Sequence, residues 1–470
     1  MYNIILKAVE NKYDYNELIK IFLNPDSFHA YTEAEINELT ETEKEDIFAG
    51  SVLIINEKET KDKNEIKREI YNHLSKLSGA RPQWGILTGV RPVKLAGELY
   101  QKFEKNMDAV QKELKEKYFL QEEKIQLVTE TLAYQQEICG AAAPKSVGMY
   151  IGIPFCPTRC LYCSFTSNRV TDAEIERYLQ ALKEEIRFTG RRMKETGLWA
   201  ESIYIGGGTP TTLSADQMDD LLNTVEASVD MTNLREFTVE AGRPDTITYE
   251  KLEVIQKHGV QRISINPQSM HEKTLKLIGR SHEPDDIVKA FQRADWTGIP
   301  IVNADLIAGL PEETPDDFSK TMDAILALDP ENITIHTLAV KRASRLVEVD
   351  KDFHYKQGET VKQMLDIAKQ KLKDAGFRPY YLYRQKHMAG AFENVGYCQN
   401  NTPCIYNIRI MEEKQTILAL GAGGISKMYY PEENRLERVP NVSNYEIYIS
   451  RLQEMLNRKE EKIFKEVERC

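Results

Sequence analysis

From Met149 to Leu338 the chain repeats one pattern: a short apolar run, a turn, then a longer stretch with apolar positions three or four apart. Short apolar runs bounded by Gly, Pro, Asn and Asp predict buried strands, and the 3.6-residue period predicts helices. The strands fall at Met149–Ile153, Ser202–Ile205, Phe237–Glu240, Arg262–Ile265, Pro300–Ile307 and Asn332–Leu338. Helices are predicted over Asp172–Lys194, Ala215–Glu226, Tyr249–His258 and Pro315–Leu328, with two short helical segments before Trp296. Strands alternating with helices imply a parallel sheet with crossover connections. Six strands are too few for a closed eight-stranded barrel. The pattern by itself does not separate an open barrel from a doubly wound sheet; the favoured expectation is α/β, an incomplete (β/α)6 TIM-type barrel.

The flanks follow other patterns. MYNIILKAV and SVLIINE alternate as strands, while Asn64–Leu77 and Leu114–Cys139 have helical periodicity. Residues 1–140 are expected to form an N-terminal α+β domain, 145–345 the barrel, and 346–470 a C-terminal α/β cap. In the cap, Glu359–Ala375 predicts a helix, Pro379–Arg384 and Thr416–Leu420 predict strands, and Asn444–Arg469 predicts a helix with room for a break. Ala80–Lys94 carries two Arg and one Lys without an acidic residue. It reads either as a loop reaching an anion or as an ordered connection.

Charge narrows the function. Lys and Arg total 62 against 73 Asp and Glu in 470 residues, a net charge of −11. A nonspecific nucleic-acid binder needs a basic surface, so no nucleic-acid partner is expected. No signal-peptide pattern opens the chain, and no apolar stretch reaches the roughly 18 residues of a membrane span. A cytoplasmic protein is expected.

The seven cysteines change the picture more. Cys156, Cys160 and Cys163 lie within eight residues, in a CxxxCxxC spacing directly after the first barrel strand; Cys139, Cys398, Cys404 and Cys470 are scattered. This is not a disulfide framework. Three thiolates on one loop can hold three irons of a [4Fe–4S] cluster and leave the fourth open. They can also hold zinc, completed by a distant His or by Cys398 or Cys404, or remain free thiols.

The run YIGIPFCPTRCLYC, with GGGTPT downstream, resembles the radical S-adenosylmethionine (SAM) superfamily. Within it the chain is similar to the oxygen-independent coproporphyrinogen III oxidases, or coproporphyrinogen dehydrogenases. The likeness is greatest to the HemZ type of the HemN/HemW family, which carries an extra N-terminal domain and the TGVRPVK segment. The resemblance implies a [4Fe–4S] cluster on Cys156, Cys160 and Cys163, and SAM as cofactor. It implies SAM contacts from Tyr150, from Tyr162 beside the adenine, and from Gly207, Gly208 and Thr209 at the methionine end. Glu240, Gln268, Arg280 and Asp305 match the remaining SAM-binding polar positions. Backbone near Leu338 and Ile425 matches positions that serve SAM, including a second SAM, in relatives. For the glycines there is a physical rationale: backbone N–H groups without side chains can approach a carboxylate. HemN-type relatives carry a further Cys where Phe165 stands.

The implied chemistry needs no catalytic side chain. A 5′-deoxyadenosyl radical from SAM abstracts hydrogen from a propionate of coproporphyrinogen III. Loss of CO₂ and one electron leaves a vinyl, and two rounds give protoporphyrinogen IX in anaerobic porphyrin and haem biosynthesis. Partners would be the tetrapyrrole substrate and a low-potential electron donor such as flavodoxin or ferredoxin. Four substrate carboxylates call for cations; Lys341, Arg342, Arg169 and Arg91 are candidates. Three rivals remain: a haem-binding chaperone of the HemW type, a radical SAM haem-degrading methyltransferase, and a zinc scaffold. Against the chaperone, Glu393 and Cys398 occupy the His and Trp positions of its HNxxYW signature.

Overall fold

The computed structural model describes residues 1–163, 168–340, 346, 357–385 and 388–469. Two compact units divide the chain. The first comprises Met1–Leu132 with short stretches at Arg384 and Gly390–Phe392. Its sheet has β1 (Tyr2–Leu6) between β2 (Phe28–Thr32) and β3 (Ser51–Ile55), all parallel. The expected α+β unit is therefore α/β, because helices Tyr13–Phe22 and Glu41–Ala49 lie between successive strands and allow parallel return. Ile4, Leu6, Leu18, Ile19, Ile70 and Leu74 form its core. The stretch expected as one helix over Leu114–Cys139 is two, Met107–Glu116 and Glu122–Ile138. Phe119 between them sits at φ +59°, in the left-handed region that ends a helix.

The second unit is built on one open sheet of eleven strands. Its centre is β4 (Ser146–Ile153), β5 (Trp199–Gly207), β6 (Glu236–Gly242), β7 (Arg262–Gln268), β8 (Ile301–Ala308) and β9 (Asn332–Thr337). These six pair in sequence order, all parallel, as the partial TIM barrel requires. Their crossover helices start where the sequence supplies caps. Thr171, Ser214 and Thr314 each close a capping box on the helices Asp172–Thr196, Ala215–Ser228 and Pro315–Leu326.

The C-terminal region joins both edges of this same sheet rather than sitting over it. β10 (Arg378–Tyr383) and β11 (Asn394–Cys398) extend it antiparallel beyond β9. On the other side β12 (Thr416–Leu420) runs parallel to β4, giving a seventh parallel strand, followed by β13 (Ile425–Tyr430) and β14 (Arg435–Pro440). The terminal helix is broken at Arg451 into Tyr445–Ser450 and Leu452–Lys459, with a wider turn over Glu460–Phe464. Among the described residues no helix is long and apolar enough to cross a membrane.

One buried ion pair ties this C-terminal region to the barrel. Lys459 Nζ lies 2.8 Å from Glu185 Oε1, and both side chains are 0% exposed. Tyr448 Oη (2.6 Å) and the Gly421 amide (2.7 Å) donate to the other carboxylate oxygen. These partners hold the Glu185 carboxyl below its ordinary value although burial alone would raise it. Removing one member of such a pair strands a buried charge at a cost of about 3–5 kcal/mol. Lys459→Met should lose about that much in urea unfolding, and the double variant with Glu185→Gln should recover most of it. Equal losses in the single and double variants would contradict the pairing.

Candidate active site

Each of the six central strands is buried on both faces except at one interior position. Those positions are Tyr150, Tyr204, Glu240, Asn266, Asp305 and His336. They make a polar ring of two linked sets, Tyr150 with Tyr204 and Glu240, and Asn266 with Asp305 and His336, between which the charge of Asp305 acts on Glu240. Tyr150, Tyr204 and Tyr406 stack, with centroids 6.3, 4.7 and 6.3 Å apart. Tyr204 Oη donates to Glu240 Oε1 at 2.6 Å. Asn303 Nδ2 bridges Asp305 Oδ1 (2.7 Å) and Ser264 Oγ (2.9 Å), and Ser264 Oγ donates to Asn266 Oδ1 at 2.6 Å. His336 Nε2 lies 3.7 Å from Asp305 Oδ2, and Tyr383 Oη lies 3.4 Å from His336 Nδ1.

Burial, and then the charge of Asp305, push the Glu240 carboxyl up to about 7; the Tyr204 hydroxyl and the Gly207 amide oppose the rise. Burial and Glu240 push the Tyr150 phenol up as well. The ring thus unites Tyr150, Glu240 and Asp305, three residues singled out from the sequence, with Tyr204, Asn266, Tyr406 and His336, which were not. The signal for Tyr204, Asn266 and His336 was present: a polar or phenolic side chain inside an otherwise apolar strand.

The cysteine loop leaves β4 at this mouth. Two hydrogen bonds seat it on the glycine turn after β5: Gly208 N to Ile153 O and Thr209 N to Phe155 O, both 2.8 Å. A methyl group on Gly208 would lie 2.4 Å from Phe155 O and 2.9 Å from Cys156 Sγ. One on Gly207, at φ +119°, would lie 2.9 Å from Ile153 O. The glycines are required by this close packing. The rationale that their amides stand open to a carboxylate needs correction, since Gly207 N donates to Glu240 Oε2 (3.3 Å), Gly208 N to the end of β4 at Ile153, and Thr209 N to the start of the cysteine loop at Phe155.

Cys160 is buried and Cys156 and Cys163 are partly so. Thr209 Oγ1 lies 3.4 Å from Cys156 Sγ. Burial raises the Cys156 thiol, and the neighbouring charges of Cys163 and Cys160 raise it further. Among the described residues no group of three His, Cys, Asp or Glu is arranged to hold a metal ion. A four-iron cluster does not need such convergence, because each cysteine takes its own iron. Cys404 and Cys398 lie at the other end of the barrel: Cys404 Sγ donates to Glu236 at the start of β6, and Cys398 pairs with Asn332 at the start of β9. Neither can complete a zinc site with the loop.

Two further residues carry unmatched buried polar atoms, and one of them, Arg280, reaches the cysteine loop. Gln268 ends β7 at φ +70°, buried, and its side-chain oxygen has no partner. A non-glycine residue held in this region at a strand end, with an orphan acceptor, is a place built for a ligand. Arg280 is buried, reaches Tyr162 Oη (3.1 Å) and Asn266 O (3.3 Å), and leaves Nε without a partner. These orphans and the three thiols fit an iron–sulfur cluster with a polar ligand beside it. Leu338 is buried just past β9 with its amide on Ala308 O (3.0 Å), while Ile425 opens β13 with an exposed side chain. Neither belongs to the ring. Phe165, Lys341 and Arg342 lie outside the described residues; Arg169 is exposed and Arg91 belongs to the first unit.

Two outcomes test this geometry. Gly208→Ala should displace the cysteine loop and cut iron uptake on anaerobic reconstitution at least severalfold; full uptake would contradict the packing. For Glu240 the folded value lies above the ordinary 4.5, so the native state holds the extra proton. Stability then falls as pH rises from about 4.5 to about 7. The melting temperature of cofactor-free Glu240→Gln should gain on that of the wild type across this window, and a constant difference would overturn the assignment.

Comparison with known proteins agrees with this geometry. The model of the Radical SAM superfamily matches residues 150–325. The chain is 40% identical over 408 residues to the oxygen-independent coproporphyrinogen-III oxidase-like protein HemZ of Bacillus subtilis, covering 84% of this chain and 80% of that protein. It is 32% identical over 234 residues to the heme chaperone HemW of the same organism, covering 49% of this chain and 61% of that one. Among solved structures, coproporphyrinogen III oxidase (HemN) from Escherichia coli shares the fold at a TM-score of 0.54 and 19% identity, over 69% of this chain and 73% of that one. With its three-cysteine loop on a partial barrel, the chain belongs to the radical SAM superfamily, whose members use a [4Fe–4S] cluster and SAM, and within it to the HemZ family of oxygen-independent coproporphyrinogen-III oxidase-like proteins.

Proposed function

We propose that this chain is a radical SAM oxidoreductase that oxidatively decarboxylates two propionates of coproporphyrinogen III to vinyls, giving protoporphyrinogen IX. The observation that carries the reading is the placement of Cys156, Cys160 and Cys163 on one loop directly after β4, with the buried Arg280, whose Nε is orphaned, held on Tyr162 of that loop. Likeness to HemZ over most of the chain supports the substrate class. When bound, the cluster and SAM supply reductive sulfonium cleavage and hydrogen-atom abstraction.

The protein's own part is to bind, orient and shield. Cys156, Cys160 and Cys163 hold the cluster. Gln268 and Arg280 offer an acceptor and a donor to SAM, with Tyr162 fixing Arg280. Glu240, held by Tyr204, offers a carboxyl that titrates near neutrality and can accept from hydroxyls or donate from its protonated form. Stacked Tyr150, Tyr204 and Tyr406 wall one side of the barrel against water. The reading places the protein in the cytoplasm, in porphyrin and haem biosynthesis, fed by a low-potential donor such as flavodoxin or ferredoxin.

Likeness to HemW favours a second reading, a haem-binding chaperone on the same core. One experiment separates the two. Reconstituted protein with SAM, a low-potential reductant and coproporphyrinogen III should release 5′-deoxyadenosine and CO₂ and yield a divinyl product. Cys160→Ala should abolish all three. Haem binding without decarboxylation would favour the chaperone, and failure to cleave SAM at all would overturn the enzymatic reading.

A further inference from the structure

Arg243 follows β6 and is almost wholly buried. Its guanidinium is fixed on one edge by Asp245: Nε to Oδ1 at 3.1 Å and one terminal nitrogen to Oδ2 at 3.2 Å. That same nitrogen donates to Ser281 Oγ (3.0 Å), and Ser281 Oγ donates on to Asp245 Oδ2 (2.9 Å). The remaining terminal nitrogen points elsewhere, to Cys160 Sγ at 3.8 Å. A side-on carboxylate pair of this kind fixes the plane of the fork as well as its position. Nothing in the polar ring uses Arg243, and neither Asp245 nor Ser281 touches the ring.

We propose that Arg243, locked by Asp245 and Ser281, is a positioning residue that donates an N–H···S hydrogen bond to the Cys160 ligand and sets the reduction potential of the cluster. This rests on the cluster reading above. Adding an electron makes the cluster more negative, so a donor and a positive charge beside one of its sulfurs favour the reduced form. Hydrogen bonds to the sulfurs and net charge are among the protein's levers on such potentials. Asp245 works in the other direction, because its charge offsets part of that of Arg243. The pair predicts shifts of opposite sign for its two members.

The test is a potentiometric titration of the reconstituted full-length protein, followed by the spectrum of the reduced cluster. Arg243→Gln should shift the one-electron reduction equilibrium at least tenfold against reduction, about 59 mV more negative. Asp245→Asn should move it the other way, and Arg243→Lys, which keeps the charge, should fall between wild type and Arg243→Gln. Iron content should stay near that of the wild type in Asp245→Asn. Unchanged potentials, or shifts of the same sign in Arg243→Gln and Asp245→Asn, overturn the proposal and leave the radical SAM reading intact. Loss of iron from both variants makes Arg243 a structural residue and overturns it too. A wild-type protein that takes up no iron overturns the cluster reading and this proposal with it.

Discussion

The site depends on a contact with no side chain on one of its faces. The strand end at Ile153, the start of the cysteine loop at Phe155 and the turn at Gly207–Gly208 come so close that no Cβ fits between them. Two backbone hydrogen bonds fix that approach. Because β4 and β5 are neighbouring parallel strands, their C-terminal ends meet at one level. The loop that carries the thiols is thereby set on rigid strand ends, which hold geometry better than a free loop. Glycine here serves the protein's own packing first, and only through it the cofactor.

Much of this was legible in the sequence. The six central strands are buried on both faces, so each appears as an apolar run, and the capping boxes mark the following helices. The CxxxCxxC loop was legible because thiols have few other reasons to cluster where the described cysteines are all free. What escaped were features that no apolar run marks. β14 reads Arg-Leu-Glu-Arg-Val-Pro and is mostly solvated at a sheet edge, so its periodicity carries no apolar signal. The break at Phe119 within Leu114–Cys139 is a left-handed residue that propensity does not mark. Parallel pairing in the N-terminal sheet depends on crossover geometry, which a pattern of separate strands does not encode.

The ring shows how one position per strand becomes a site. Any of Tyr204, Asn266 or His336 alone reads as a tolerated polar residue in a strand. In the barrel each is the single opening in its strand, and Tyr204 holds Glu240 directly. A carboxyl and stacked phenols buried together cannot hold ordinary proton affinities, and Glu240, Tyr150, Tyr204 and Tyr406 are all raised by burial. Glu240 rises because it is desolvated and shares the space with Asp305, while Tyr204 restrains the rise by donating to it. The folding core and the polar interior are therefore set by the same alternation along the same strands.

Charge placement completes the picture. The chain carries −11 overall, yet the groups nearest Cys160 include two buried guanidinium groups, Arg243 and Arg280. Burying a cation away from its counter-charge is costly, and neither cation serves the packing of an apolar core. Asp245 compensates Arg243 from the side facing away from sulfur. Arg280 instead meets a phenol and a backbone carbonyl, both neutral partners. Such a positive pocket is stable when anionic sulfur occupies it, and the cysteine most enclosed by it is also the most buried of the three. At the far end of the barrel the acidic Glu236 caps the helix Ile405–Glu412 through the amides of Ile405 and Tyr406, and Cys404 rests against it as a thiol raised by burial. Charge thus differs between the two ends of one sheet: two guanidinium groups lie near Cys160, and a carboxylate faces Cys404, whose thiol burial raises.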